Sequence, residues 1–77
     1  MNIYVMFFGV LAEVANTGSK HYRNIKSFSD LKYRVEDDFP EFIHYYYRIA
    51  VNNVIVHEEP EIKEGDRVIF LPPFAGG

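Results

Sequence analysis

The chain has 77 residues, no cysteine and a formal net charge of −3. That length allows one domain with one small core, and the missing cysteines exclude a disulfide framework, a thiolate metal site and a cysteine nucleophile. The eight Lys and Arg are scattered rather than clustered, which argues against nucleic acid as the main partner.

Residues 3–8 (Ile-Tyr-Val-Met-Phe-Phe) are apolar at every position. This reads as a strand covered on both faces, or one that keeps an apolar face for a partner. Val10 to Ala15 make one helical turn before Asn16-Thr17-Gly18 breaks it. Residues 20–25 form a weak, polar strand suited to a sheet edge.

Ser27 is an N-cap with acidic Asp30 at N3, and Phe28, Leu31, Val35 and Phe39 recur at helical spacing until Pro40. That predicts an amphipathic helix of about three turns. Residues 48–51, Asn52-Asn53 and residues 54–56 predict a tight hairpin, because Asn tolerates the positive φ such turns require. Lys63-Glu64-Gly65-Asp66 turns the chain into a last apolar strand over residues 66–71. Seven Phe and six Tyr supply much of the core area.

This order predicts an α+β domain, a mixed sheet with one main helix packed on one face. If Ile3, Val5, Phe7, Val68 and Phe70 face the helix, Tyr4, Met6, Phe8, Ile69 and Leu71 point to the opposite face. An apolar surface of that kind on a small domain is a predicted protein-binding patch.

The segment Pro72-Pro73-Phe74-Ala75-Gly76-Gly77 is the most informative part of the sequence. Glycine lacks Cβ, so Gly76 and Gly77 let a partner's active site close around the main chain. The Pro pair removes two N–H donors and fixes two φ angles, which stiffens the exit from the last strand. A frayed end or cloning remnant would not be expected to run unbroken from strand-like residues through a Pro pair. The tail is therefore expected to be functional, with the Gly77 carboxylate as the reacting group.

No catalytic machinery accompanies it. His21, His44 and His57 lack the i, i+4 spacing of a helical zinc motif, so no metal site is expected. The carboxylates Glu36, Asp37, Asp38 and Glu58, Glu59, Glu61 read as solvated acidic faces rather than a catalytic pair. Tyr45-Tyr46-Tyr47 reads as packing and loop covering. Ser27 and Ser29 lie in no nucleophile elbow, and no Gly-rich phosphate loop is present. No run of about 18 apolar residues exists to span a membrane, and Met1-Asn2-Ile3-Tyr4 lacks the basic start of a signal peptide, so the cytosol is the expected location.

A slim tail beside an apolar face describes a carrier on which other enzymes act, and here the chain resembles the ubiquitin-like sulfur carriers, most closely the molybdopterin synthase small subunits. The resemblance covers the whole length. It is carried by Phe7-Phe8 with Glu13 following, Ala50-Val51-Asn52, Glu64-Gly65-Asp66, and above all Leu71-Pro72-Pro73-Phe74-Ala75-Gly76-Gly77. Two features depart from the family pattern: Ala12 replaces the usual Arg before Glu13, and the Tyr run at 45–47 has no counterpart.

The resemblance implies a single β-grasp (ubiquitin-like) domain over residues 1–77 with a flexible diglycine tail. It implies that an adenylyltransferase related to ubiquitin-activating enzymes joins Gly77 to AMP, using ATP and Mg²⁺ that this chain does not itself bind. A sulfur donor protein then converts Gly77 to a thiocarboxylate. The tail, Pro72 to Gly76 included, enters the large synthase subunit, expected in a heterotetramer, which holds the catalytic groups. By position, the family's apolar docking surface maps onto Phe8, Ile55 and Leu71. A sulfur carrier of thiamine synthesis, a protein modifier and a purely structural interaction domain stay open as alternatives; Pro72-Pro73 favours the molybdopterin branch.

Overall fold

The computed structural model describes residues 1–73, and the expectations for Phe74, Ala75, Gly76 and Gly77 lie outside them. The predicted first strand, β1 (Ile3–Phe7), becomes the second strand of a five-stranded sheet. It pairs antiparallel with β2 (Ser19–Tyr22) and parallel with the last strand, β5 (Arg67–Leu71). Beyond β5 lie β3 (Arg48–Val51), antiparallel to it, and β4 (Val54–Val56), giving the order β2-β1-β5-β3-β4. The short helix α1 (Val10–Ala15) links β1 to β2.

The main helix, α2 (Phe28–Asp38), starts as its sequence requires. The Ser27 hydroxyl accepts the Asp30 N–H at 3.1 Å, and the Asp30 carboxylate accepts the Lys26 N–H at 2.9 Å. One orphan donor of the first turn is thereby satisfied, and the amide preceding the N-cap is tied to the helix start. Leu31 and Val35 are buried against Ile3, Val5, Phe7, Val68 and Phe70, so the predicted inward face is the observed one. The helix ends before Phe39, since a residue preceding proline avoids helical angles.

Two departures have clear causes. The predicted strand over residues 20–25 is shorter: Asn24 adopts φ 59°, which turns the chain so that Ile25 enters the core. Ile25 then exchanges two backbone hydrogen bonds with Met1, at 2.7 and 2.9 Å. The second departure is a 3₁₀ turn over Pro40–His44, which drives Phe42 fully inside. Phe42 closes an aromatic cluster with Phe7, Phe39, Phe70 and Tyr47, at centroid distances of 5.4 to 6.1 Å.

The acidic runs are not uniformly solvated. Asp38 accepts Lys20 at 2.6 Å and the Tyr22 hydroxyl at 2.7 Å, tying the edge strand to the end of α2. The Lys20 hydrogen bond holds the Asp38 carboxyl below its ordinary range, while burial, aided by Asp38, pushes the Tyr22 phenol up. Glu36 likewise accepts the Tyr47 hydroxyl at 2.7 Å. Of the Tyr run, Tyr47 packs on the core as expected, whereas Tyr46 is 89% exposed.

The Asn52-Asn53 hairpin has the predicted form, with φ 49° and 72°. Asn52 does more than turn the chain. Its side chain accepts the Arg67 N–H at 3.0 Å and donates to Asp66 at 3.1 Å, locking the hairpin to the start of β5.

Candidate functional site

The register decides what the helix-free face presents. Met6 pairs with Ser19 and Ile69, Ile69 with Ala50, and Ala50 with Ile55, so these residues form one row across all five strands. The middle of that row is closed: Ile69 is 7% exposed and Ala50 is also buried. Ile69 does point away from the helix as alternation requires, but on a central strand, paired with Met6 on one side and Ala50 on the other, it is buried rather than the open surface expected of it.

What remains accessible is at the β5 exit and on the outer hairpin. Phe8 is 43% exposed and Ile55 37%, and Leu71 is partly exposed. Phe8 follows β1 directly, and its N–H donates to the Phe70 carbonyl at 3.1 Å, which carries the parallel ladder one rung further and sets Phe8 beside Leu71. The structure thus brings Phe8 and Leu71 together and leaves Ile55 on the same face, two strands from Leu71. At the other end of the face Tyr4 stacks on His21, with centroids 4.6 Å apart and planes 9° off parallel.

Charge rims this face. Arg67 pairs with Tyr4 and Arg48 with Leu71, and both are exposed. The accessible apolar residues of this face are therefore bordered by cations. Sequence reasoning did not single out either Arg; the signal was their phase with Ile69 and Ala50, readable only once the strands are in register.

Leu71 leads straight into Pro72, which is partly buried, and Pro73, which is exposed. Pro73 also stands at the lip of an open groove of about 750 Å³ on the helix side, lined by Phe28, Lys32, Tyr47 and His57 among others. The root of the tail thus leaves the sheet where the apolar face ends. Among the described residues no group of three or more His, Asp or Glu is placed to hold a metal ion. No helix of the described residues is long and apolar enough to cross a membrane.

A mixed sheet with a central parallel β1–β5 pair and one main helix on a single face is the β-grasp fold of ubiquitin-like proteins. The ThiS family model matches residues 5–77, and the chain belongs to the ThiS family. No curated protein sequence gives a significant match. Among solved structures, a Pyrococcus furiosus protein assigned as subunit 1 of molybdopterin converting factor superposes with a TM-score of 0.84 at 21% identity, covering 96% of this chain and 99% of that one. Small archaeal modifier protein 1 of Methanosarcina acetivorans gives 0.83 at 20% identity, covering 99% and 96%. A complex of subunits 1 and 2 of the Helicobacter pylori molybdopterin-converting factor gives 0.76 at 22% identity, covering 100% of both chains. At these identities the likeness establishes a shared fold.

Proposed function

We propose that this chain is the sulfur-carrying small subunit of a molybdopterin synthase. The carrier part of the reading rests on the ThiS family match running through residue 77, and the molybdopterin part on the likeness to subunit 1 of molybdopterin converting factor together with the Pro72-Pro73 pair. The placement of that root beside Phe8 and Leu71 supports it, because one partner surface can then grip the face while its active site receives the tail.

The chemistry follows from the electrophile. A carboxylate resists attack, so the Gly77 carboxylate first attacks the α-phosphate of ATP on an adenylyltransferase, with Mg²⁺ there, and releases pyrophosphate. A sulfur nucleophile at the oxidation level of sulfide displaces AMP and leaves a thiocarboxylate. In the large subunit this sulfur is passed to a cyclic pyranopterin phosphate. A dithiolene holds two sulfurs, so two loaded chains serve each product. The groups that act as base and stabilise the oxyanion belong to the partners; this chain supplies the reacting atom and the grip. Its site of action is the cytosol.

A second reading, a protein modifier whose Gly77 becomes amide-linked to lysines, draws on the likeness to small archaeal modifier protein 1. Reconstitution separates the two. Thiocarboxylated chain, the large subunit and the pyranopterin substrate should yield the dithiolene product, and cell extract supplied with ATP should yield no lysine conjugates on a denaturing gel. Conjugates without dithiolene formation would favour the modifier.

A further inference from the structure

At the root of the tail the backbone makes a contact that only glycine permits. The parallel register pairs Phe7 with Phe70, and carried two residues on it sets Gly9 opposite Pro72. A Cβ built on Gly9 would stand 2.9 Å from Cγ of Pro72 and 3.6 Å from its Cδ. The Pro72 ring therefore sits against the bare α-carbon of Gly9.

The same place ends the ladder. After Phe8 donates to Phe70, the next rung of a parallel pair would bring the amide of residue 72 to the Phe8 carbonyl. Proline has no amide hydrogen. The Phe8 carbonyl instead accepts the Leu11 N–H at 3.1 Å, closing a turn in which Gly9 takes φ 57° and ψ −134°. Those are the angles of the first central residue of a type II′ turn, a position that falls to glycine. Gly9 thus turns the chain away from β5 while offering Pro72 a flat seat, and the seat sets the direction in which the chain leaves the sheet after Pro72.

We infer that Gly9 is a positioning residue: by seating Pro72 it aims the tail, relative to the Phe8–Leu71 face, at the active site of whichever enzyme holds that face. The inference rests on the carrier reading above. A side chain at residue 9 would push the Pro72 ring outward and swing the exit; it would also strain the turn at φ 57°, an effect independent of Pro72 that the Pro72→Ala background separates. Binding would survive and productive placement of Gly77 would not.

The test is ATP–pyrophosphate exchange by the cognate adenylyltransferase, with the full chain as varied substrate. Gly9→Ala should lower kcat by roughly 10- to 100-fold, the scale of a reacting group misplaced by about 1 Å, and leave KM near the wild-type value. A variant that merely unfolds would behave oppositely, raising apparent KM as the folded fraction falls while kcat is kept. In a Pro72→Ala background, where the ring is already gone, adding Gly9→Ala should lower kcat little further. Equal losses in both backgrounds, or an unchanged kcat in the single variant, would overturn the positioning role. Should Gly9→Ala fail to fold, Pro72→Ala compared with Pro73→Ala decides, because no Pro73 atom lies within 4 Å of the Gly9 Cβ position. Pro72→Ala should lose much more kcat, and equal losses would overturn the proposal. A wild-type chain that supports no exchange would overturn the carrier reading, and the positioning role with it; active wild type beside an equally active Gly9→Ala would overturn the positioning role alone.

Discussion

Replacing Phe8 by Ala tests the docking face with a magnitude set by the structure. A Phe side chain presents on the order of 150 to 250 Å², and Phe8 leaves 43% of its area open. Roughly 65 to 110 Å² then remains for a partner to cover, worth about 1.6 to 2.7 kcal/mol at ~25 cal/mol per Å². That corresponds to a loss of roughly 15- to 100-fold in affinity. The backbone role of Phe8 in the ladder is kept, so the fold should lose only about 1 kcal/mol, a fall of roughly 4 to 8 °C in melting temperature. Titration calorimetry against the large subunit, below the melting range of both chains, reads the effect. Tyr33→Ala is the control, since Tyr33 is 71% exposed but lies on α2. Binding by Phe8→Ala within twofold of wild type, or an equal loss in Tyr33→Ala, would refute the assignment.

Leu71→Asp should weaken large-subunit and adenylyltransferase binding by about 3 kcal/mol or more, because it buries a charge in an apolar contact; unchanged affinity for both would sink the patch. Asn52→Ala should cost about 1 to 2 kcal/mol in urea unfolding, through its lost bonds to Arg67 and Asp66, whereas Asn53→Gly, at φ 72°, should stabilise slightly. Asp38 has a folded pKa below its ordinary 3.8, so its contribution is present above that value and is lost as pH falls through the folded pKa. The melting difference between wild type and Asp38→Asn should accordingly be largest near neutrality and shrink towards pH 2. Deletion of Gly77 should abolish sulfur transfer and leave the melting curve unmoved, and a deleted chain that still supports dithiolene formation would rule out the tail as the carrier.

Much of this molecule is legible from side-chain alternation and turn chemistry. Ile3, Val5, Phe7, Val68 and Phe70 point inward because a strand has a period of two and only one face meets the helix. Asn52-Asn53 declares its turn because both residues accept positive φ, and Ser27 with Asp30 declares a helix start. The 3₁₀ turn was not legible: residues 40–44 place one buried ring, Phe42, among exposed neighbours, which matches neither a helical nor a strand period.

The geometry of the candidate site was legible in part for a related reason. Phe8 and Leu71 share a face by alternation alone, yet their adjacency depends on a parallel pairing between strands some sixty residues apart, which no local signal encodes. The same long-range register hides the burial of Ile69, the Arg48 and Arg67 rim, and the seat that Gly9 offers to Pro72. Each is a property of neighbouring strands rather than of either strand's own sequence.

Sulfur carriage by Gly77 can be read from the intact mass of the chain and its fragments. The chain would be incubated with ATP, Mg²⁺, a sulfide source and the cognate adenylyltransferase, the enzyme having been shown active on a control carrier. Fragmentation must locate the change, because oxidation of Met1 or Met6 adds nearly the same mass as exchanging oxygen for sulfur. A shift confined to Gly77 is the expected result; an unmodified Gly77 under those conditions would rule out sulfur carriage.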